Sequence, residues 1–365
     1  MNQLKVQKWI LIAILVLIIL FVSVILVFRL INTGKYKVSG NDGIQESGFV
    51  SINDCEIYVQ IRGQHISNPV IVFVHGGPGF PLTYLSAYHQ SFLEDDYTFV
   101  NYDQRHSGRS YYQNESTTET PTVHIMLSEL DQIVAYTKQR LGTDKVIIMG
   151  QSWGTVLGSI YTQQHPENVR AYIGTGQVID FDMGKIVSGQ NALEIAKANG
   201  DTENAAVLEE AISTFEKVLN IDDVDIENLE SLILSSMAYL RSDGEMSRMT
   251  QLLLGVTSPF MNLNDKRWFL NASSTRKIID LEKHLINYMY FEFDVSQLYT
   301  QYDVPVYYIQ GDSDYITPTE MVEAYCGDIS APQKQIIQIE NTGHTPFLDN
   351  PAAFAQAVLY VLGKN

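Results

Sequence analysis

From Trp9 to Phe28 the chain reads WILIAILVLIILFVSVILVF, twenty residues without a charge, a proline or a glycine. Coiled into a helix rising about 1.5 Å per residue, this run is about 30 Å long, the thickness of a bilayer's hydrocarbon core. It has no polar face to turn toward water, so residues 1–31 are expected to form a membrane anchor. A cleaved signal peptide is the competing reading. Its apolar stretch is shorter, about 7–15 residues, and ends in a small-residue cleavage pattern; here Arg29-Leu30-Ile31-Asn32 follows instead. Lys5 and Lys8 precede the run, and Arg29, Lys35 and Lys37 follow it, so the basic residues bias orientation very little. The short tail is expected inside, with the large domain outside the cytoplasm. The polar, glycine-containing stretch 32–47 predicts a flexible tether.

Beyond the tether, short apolar runs alternate with helical periodicity. Phe49–Ile52 and Glu56–Ile61, split by Asn53-Asp54, predict a hairpin. Val70–Val74 (VIVFV), Tyr97–Tyr102 and Lys145–Met149 (KVIIM) look like strands covered on both faces of a parallel sheet. Pro121–Leu141 has helical spacing behind a Pro-Thr start signal. Val169–Ile173, Val304–Gln310 and Gln335–Ile339 continue the strands, and Pro351–Leu362 closes the chain as a helix. This alternation predicts an α/β domain with a mostly parallel sheet, assembled from residues 48–176 and 303–365. Residues 177–302 contain no strand run. Helical segments at Asn191–Ala198, Glu203–Leu219 and Leu229–Leu240 lead into a Met-, Leu- and Phe-containing stretch up to Asn264. The region predicts an inserted helical cap.

Composition narrows the partners. Apolar residues make up 45% of the chain, enough for a sizeable core, and the formal net charge is −18. Such a surface repels nucleic acid and anionic lipid headgroups, so the membrane is expected to be met through the N-terminal helix. Cys55 and Cys326 have no motif spacing and sit on distant predicted elements, so both read as free thiols. The eight histidines are scattered without close pairs, and neither a metal nor another cofactor is expected.

The sharpest chemical signal is Gly150-Gln151-Ser152-Trp153-Gly154, directly after the KVIIM strand and before a helical stretch. Gly-x-Ser-x-Gly at a strand-to-helix turn forces the serine into a tight elbow with its Oγ exposed at the carboxyl end of the sheet. A hydroxyl is a weak nucleophile, so it needs a base, and the base needs an orienting acid. His344, in the loop after the last strand, is the histidine that follows a plausible acid loop. That loop, Gly311-Asp312-Ser313-Asp314-Tyr315, offers two carboxylates. Asp314 is expected to orient His344 because it lies far enough along the loop to turn back, while Asp312 is expected to cap the loop. The oxyanion hole would use the N–H groups of Trp153 and of Gly77, in the loop His75-Gly76-Gly77-Pro78-Gly79. His75, Gly76 and Gln151 are expected to support the site rather than react.

His75-Gly-Gly-Pro-Gly79, Asp103-Gln-Arg-His-Ser-Gly-Arg-Ser110, Gly150-Gln-Ser-Trp-Gly154, the loop to Asp314, and Gly343-His344 together resemble the proline iminopeptidase branch of the α/β hydrolases. The resemblance runs from about Phe49 to Leu362, outside the insertion. It implies an α/β-hydrolase fold in which Asp103, Arg105 and Arg109 brace the active site; solvated surface charge is the other reading of the two arginines. In that family, acidic cap residues hold the substrate's α-amino group. The insertion offers Glu203, Glu209, Glu210, Glu216, Glu227, Glu230 and Glu245, none in a cap motif that matches the family's. Each is equally explained as a solvated helix face. The N-terminal anchor departs from a mostly soluble family.

Three functions fit this pattern. The first is an aminopeptidase that releases an N-terminal residue, often proline, from a small peptide. The second is an esterase or lipase-like enzyme for apolar esters, with Leu252–Leu254 and the cap methionines as an adaptable lid. The third is a non-catalytic binding protein, which a complete set of triad residues and oxyanion loops argues against.

Overall fold

The computed structural model describes residues 3–116 and 120–364. Helix α1 (Gln3–Lys35) precedes the folded domain. Its span Val6–Lys35 is long and apolar enough to cross a membrane, and none of its apolar window is buried within the protein.

The hairpin β1 (Ile44–Ile52) and β2 (Cys55–Gly63) opens an eight-stranded sheet. β3 (Val70–Val74), α2 (Ser86–Gln90), β4 (Thr98–Asp103), α3 (Gly108–Gln113), α4 (Val123–Leu141), β5 (Val146–Gln151), α5 (Trp153–Gln164) and β6 (Val169–Thr175) complete its first half. The cap follows as α6 (Phe181–Ala198), α7 (Thr202–Phe215), α8 (Ile226–Leu240), α9 (Arg248–Thr257), α10 (Leu263–Ala272), α11 (Thr275–Phe291) and the short α12 (Val295–Leu298). The sheet resumes with β7 (Val306–Gly311), α13 (Thr319–Asp328), β8 (Lys334–Ile339), α14 (Pro346–Asp349) and α15 (Pro351–Val361).

Strand order is β1-β2-β4-β3-β5-β6-β7-β8. β2 pairs antiparallel with β1 and β4, and every later pairing is parallel. The apolar runs of β3 to β6 are buried on both faces, against α4, α5 and α13 on one side and α2 and α15 on the other. That double cover is why they read as continuous rather than alternating.

Polar N-caps set the cap's helix starts. Asp180, Asp201, Asp225, Ser247 and Ser274 each accept a backbone N–H from the first turn, and Asn262 and Asp265 form a capping box on α10. α6, α7 and α8 share their own small core of Ala192, Leu208, Phe215, Leu229 and Leu232.

The segment between anchor and sheet differs from the expected tether over 32–47. The helix continues to Lys35, and β1 begins at Ile44, so only 36–43 connect them. Ile44 is a single buried apolar residue in a polar stretch, and its place comes from pairing with Gly63, which local composition does not reveal. The connection is also tied down. Arg62 donates to the carbonyl of Tyr36 at 2.8 Å, and Ser39 N donates to Gln64 Oε1 at 3.1 Å.

A buried ion pair joins cap to core. Arg109 in α3 donates from Nε and from one terminal nitrogen to the two carboxylate oxygens of Asp265 in α10, at 2.9 and 2.7 Å. It also stacks over the Tyr58 ring, 4.2 Å from its centroid. Removing one member of such a pair strands a desolvated charge, whereas replacing both by apolar groups is far milder. Asp265→Ala is therefore expected to lower stability by about 3–5 kcal/mol, read from the urea midpoint. The double variant Arg109→Met/Asp265→Leu should recover most of that loss.

Candidate active site

β5 ends in Gly150-Gln151 and α5 begins at Trp153, which leaves Ser152 to reverse the chain at φ 50° and ψ −122°. A Cβ on Gly154 would lie 2.0 Å from the Val74 carbonyl oxygen, and one on Gly150 would lie 2.6 Å from that of Gly154. Neither position can carry a side chain, so β3, β5 and α5 meet backbone to backbone. The conformation of Ser152 is rare for a non-glycine residue and is held from both ends. Its N–H donates to the Thr175 carbonyl at 3.0 Å, and its carbonyl accepts from Thr155 N at 2.7 Å and Thr155 Oγ1 at 2.6 Å.

The loop after β7 separates its two carboxylates by role. Asp312 accepts the N–H groups of Asn341 at 2.9 Å and Thr342 at 3.2 Å, which clips this loop to the one after β8. Asp314 faces His344, with its oxygens 2.9 and 3.1 Å from Nδ1. It also accepts from Thr317 N, Thr317 Oγ1 and Ile316 N. Burial favours its neutral form, but the charge and hydrogen bond of His344 and the Thr317 bonds outweigh burial and hold its carboxyl below the usual range. An ionised carboxylate facing Nδ1 keeps the proton there and leaves Nε2 as the acceptor.

His344 packs on the turn after β6. A Cβ on Gly176 would lie 2.8 Å from its Cε1 and 3.0 Å from its Nδ1. The neighbouring Thr175 is the residue whose carbonyl holds Ser152 N. One turn thus holds the Ser152 backbone through Thr175 and meets the His344 ring at Gly176.

The N–H groups of Gly77 and Trp153 meet no acceptor among the described residues. His75 braces their loop. Its Nε2 accepts from Gln104 N at 3.1 Å, so its Nδ1 carries the hydrogen that meets the Gly76 carbonyl at 2.9 Å. Gln104 returns a bond to the His75 carbonyl and accepts from the Trp153 indole at 3.0 Å. Burial lowers the His75 imidazole to about 4, so it stays neutral. A Cβ on Gly76 would lie 2.2 Å from Gln151 Oε1, which puts the Gln151 side chain directly under the loop.

Asp103 accepts from Thr83 Oγ1 and from Arg109 N, both at 2.8 Å; burial, and then the charge of Asp265, push its carboxyl up to about 7. Arg105 is buried in an ion pair with Glu129 at 2.7 Å and donates to the Asn53 carbonyl at 3.0 Å. Arg105 and Arg109 are both buried, which removes the solvated-charge reading.

Of the seven cap glutamates considered from sequence, Glu245 alone is less than exposed. A Cβ on Gly343 would lie 2.9 Å from its Oε2, and its Oε1 accepts from Tyr315 at 3.4 Å. Burial raises its carboxyl, with Arg241 opposing.

The sequence reading missed Glu282 of α11. This residue is buried, both carboxylate oxygens lack a hydrogen-bond partner among the described residues, and burial raises it well above the carboxylate range. A Cβ on Gly79 would lie 3.5 Å from its Oε1, so it stands against the oxyanion loop, where α11 also breaks helical geometry at φ −114° and ψ 19°. Its spacing held a signal: Glu282 falls four residues after Ile278 and three before Leu285, on the buried face of the helix. Lys185 was also missed. It is buried, donates to the Ile316 carbonyl of the acid loop at 2.9 Å, and is lowered to about 7 by burial, with Asp314 opposing.

The chain is similar to known proteins in sequence and in fold. Residues 71–357 match the model of the alpha/beta hydrolase family. "Probable aminopeptidase YbaC" of Bacillus subtilis (strain 168) is 27% identical over 313 residues, covering 85% of this chain and 93% of that protein. A proline iminopeptidase of Neisseria gonorrhoeae is 31% identical over 131 residues, covering 36% of this chain and 39% of that one. Among solved structures, a proline iminopeptidase-related protein of Thermus thermophilus superposes with a TM-score of 0.57 at 19% identity, over 88% of this chain and 98% of its own. A bacterial membrane phospholipase A superposes with a TM-score of 0.60 at 15% identity, over 100% of this chain and 98% of its own. At these identities the two structures speak for the fold alone. The chain belongs to the alpha/beta hydrolase family and is a hydrolase.

Proposed function

We propose that this hydrolase is a membrane-anchored aminopeptidase that works through an acyl-enzyme on Ser152. Ser152 Oγ attacks the carbonyl carbon of the substrate's N-terminal residue while His344 Nε2 takes its proton and Asp314 steadies the imidazolium. The N–H groups of Gly77 and Trp153 receive the oxyanion. The C–N bond then breaks as His344 returns the proton to the leaving amine, and water activated by the same histidine hydrolyses the ester. Helix α1 holds the enzyme at a membrane, with the domain on the extracytoplasmic side.

The observation that carries the peptidase reading is Glu282. A buried carboxylate with both oxygens unpartnered among the described residues, set against the oxyanion loop, suits a substrate ammonium that would supply charge-assisted hydrogen bonds. Glu245, beside Gly343, is a second acidic group at the opposite side of the site. The names carried by the curated relatives point the same way. An esterase acting on apolar esters is the second reading, favoured by exposed Met249 and Leu253 on the cap.

Ser152→Ala is expected to lower kcat by at least about 10⁴-fold, and a fluorophosphonate probe should label the wild type at Ser152 and leave the variant unlabelled. Labelling of a different serine in the wild type would sink the assignment.

The two loop carboxylates give separable outcomes. Asp314→Asn should cost about 10⁴-fold in kcat because an amide favours the wrong imidazole tautomer. Asp312→Asn should mainly lower thermal stability, since its bonds are to backbone N–H groups. Equal activity losses would leave Asp314 without its special role.

Glu282 sets a pH signature. Its carboxyl is raised in the free enzyme, so it holds a proton over a window above the ordinary carboxylate range. Binding an ammonium requires the ionised form. KM for a prolyl nitroanilide should therefore fall as pH rises through that window, by up to about tenfold per unit. Glu282→Gln should flatten this slope and raise KM by roughly 10–100-fold with a smaller change in kcat. If N-acetyl-prolyl nitroanilide is hydrolysed as fast as the free amine, or only nitrophenyl esters turn over, the esterase reading replaces this one.

A further inference from the structure

The membrane helix is fastened to one part of the cap. Ile25, Arg29, Asn32 and Tyr36, spaced at helical intervals, are the half-buried residues of that stretch. Arg29 follows the last apolar residue of the spanning run and donates to the carbonyls of Met261 at 2.9 Å and Pro259 at 3.2 Å. Asn32 donates to the Thr257 carbonyl at 3.0 Å. The level at which α1 leaves the hydrocarbon is therefore the level of the linker between α9 and α10.

The outer face of those two helices is unlike the rest of the surface. Leu263 and Leu270 of α10 are 70% and 73% exposed, and Met249 and Leu253 of α9 are 63% and 47% exposed. On α10 the outward positions 263, 266, 267 and 270 share one face, while Asp265 and Trp268 point inward to Arg109 and to the Gly79 carbonyl. The charge also reverses. The whole chain carries −18, yet residues 246–272 hold Arg248, Lys266 and Arg267 against the single acid Asp265. All three cations are exposed, none pairs with a carboxylate among the described residues, and Asp265 is buried against Arg109. The net charge of this stretch is +2, from three basic residues and one acidic residue. A face of exposed Leu and Met among Arg and Lys without acidic partners, beside an emerging spanning helix, has the chemistry of an interfacial membrane surface.

We infer that the outer face of α9 and α10 lies on the leaflet that α1 enters and binds its anionic phospholipid headgroups, with Leu263, Leu270, Met249 and Leu253 dipping into the interface. The charge of the whole chain argues against anionic lipid, but the local distribution at this face reverses that expectation. The inner side of α10 holds the oxyanion loop through Trp268, so the docked face lies one helix thickness from the candidate active site.

The test uses the full chain in lipid nanodiscs. Cys55 and Cys326 are buried, so an environment-sensitive dye can be placed selectively at Leu263→Cys, at Leu270→Cys and, as control, at Asp144→Cys before β5, at the opposite edge of the sheet. In discs containing phosphatidylglycerol, headgroup-level spin-labelled lipid should quench the dyes at 263 and 270 severalfold more than the dye at 144. Lys266→Glu and Arg248→Glu should each lower the docked fraction by about fivefold in the docking equilibrium. Turnover of a soluble chromogenic substrate in detergent should be unchanged by these two substitutions. Quenching at 263 and 270 no greater than at 144 overturns the proposal. So does quenching that is the same in pure phosphatidylcholine and insensitive to both charge reversals. Disulfide cross-linking of Leu270→Cys between copies, without lipid quenching, would assign the face to a second copy and also overturn it.

Discussion

The carboxyl edge of the sheet depends on a backbone contact that tolerates no side chain. With a Cβ on Gly154 only 2.0 Å from the Val74 carbonyl oxygen, β3 and the start of α5 can touch only because that position is bare. This closeness fixes the separation between the loop after β3 and the helix whose first N–H belongs to Trp153. It also leaves Ser152 no conformation other than a strained one, anchored through Thr175 and Thr155. The His344 loop is then located by a second bare position, Gly176, on the same turn that holds Ser152 N. Catalytic geometry of this kind comes from close-packed backbone, and flexible side chains only complete it.

Three buried ion pairs join separate parts of the domain. Arg62 pairs with Glu94, Arg105 with Glu129, and Arg109 with Asp265. Such pairs contribute little net stability compared with apolar packing, but they are intolerant of mismatch, because a stranded partner is costly. They therefore specify which loops sit together. Arg105 locks the loop after β4 to α4, and Arg109 locks α3 to the cap. Asp103 is pushed up to about 7 by burial and by the charge of Asp265 across the same arginine, so the cap's position is felt electrostatically within the core.

What could be read from the chain alone follows the range of the interactions. The central strands announce themselves because burial on both faces makes them apolar throughout. The elbow does so because Gly150 and Gly154 are local steric necessities. Loop reach also separates the two carboxylates in place: Asp312 bonds the loop after β8 and Asp314 faces His344 Nδ1. Contacts across the insertion were not legible in the chain alone. Asp265 is an ordinary N3 acid of α10 until Arg109, 156 residues away, is brought to it. Glu282 was hidden for a related reason: its meaning lies in the absence of a partner, which no local pattern displays. The start of β1 was misplaced because a lone Ile44 gains its burial from Gly63 across the hairpin.

Helix α10 ties these levels together. Its first turn is closed by the Asn262–Asp265 capping box, and the same Asp265 carboxylate grips Arg109. One turn later Trp268 donates to the Gly79 carbonyl at 2.8 Å, next to the loop that contains Gly77. The linker just before α10 is the segment that receives Arg29 from α1. A shift of α10 cannot be absorbed locally: it would unpair Arg109, release the loop after β3 and pull on α1 together. Helices α6 to α8 have a separate small core, yet α6 is tied to the loop after β7 as well, with Lys185 donating to the Ile316 carbonyl and Ser188 to the Tyr315 carbonyl.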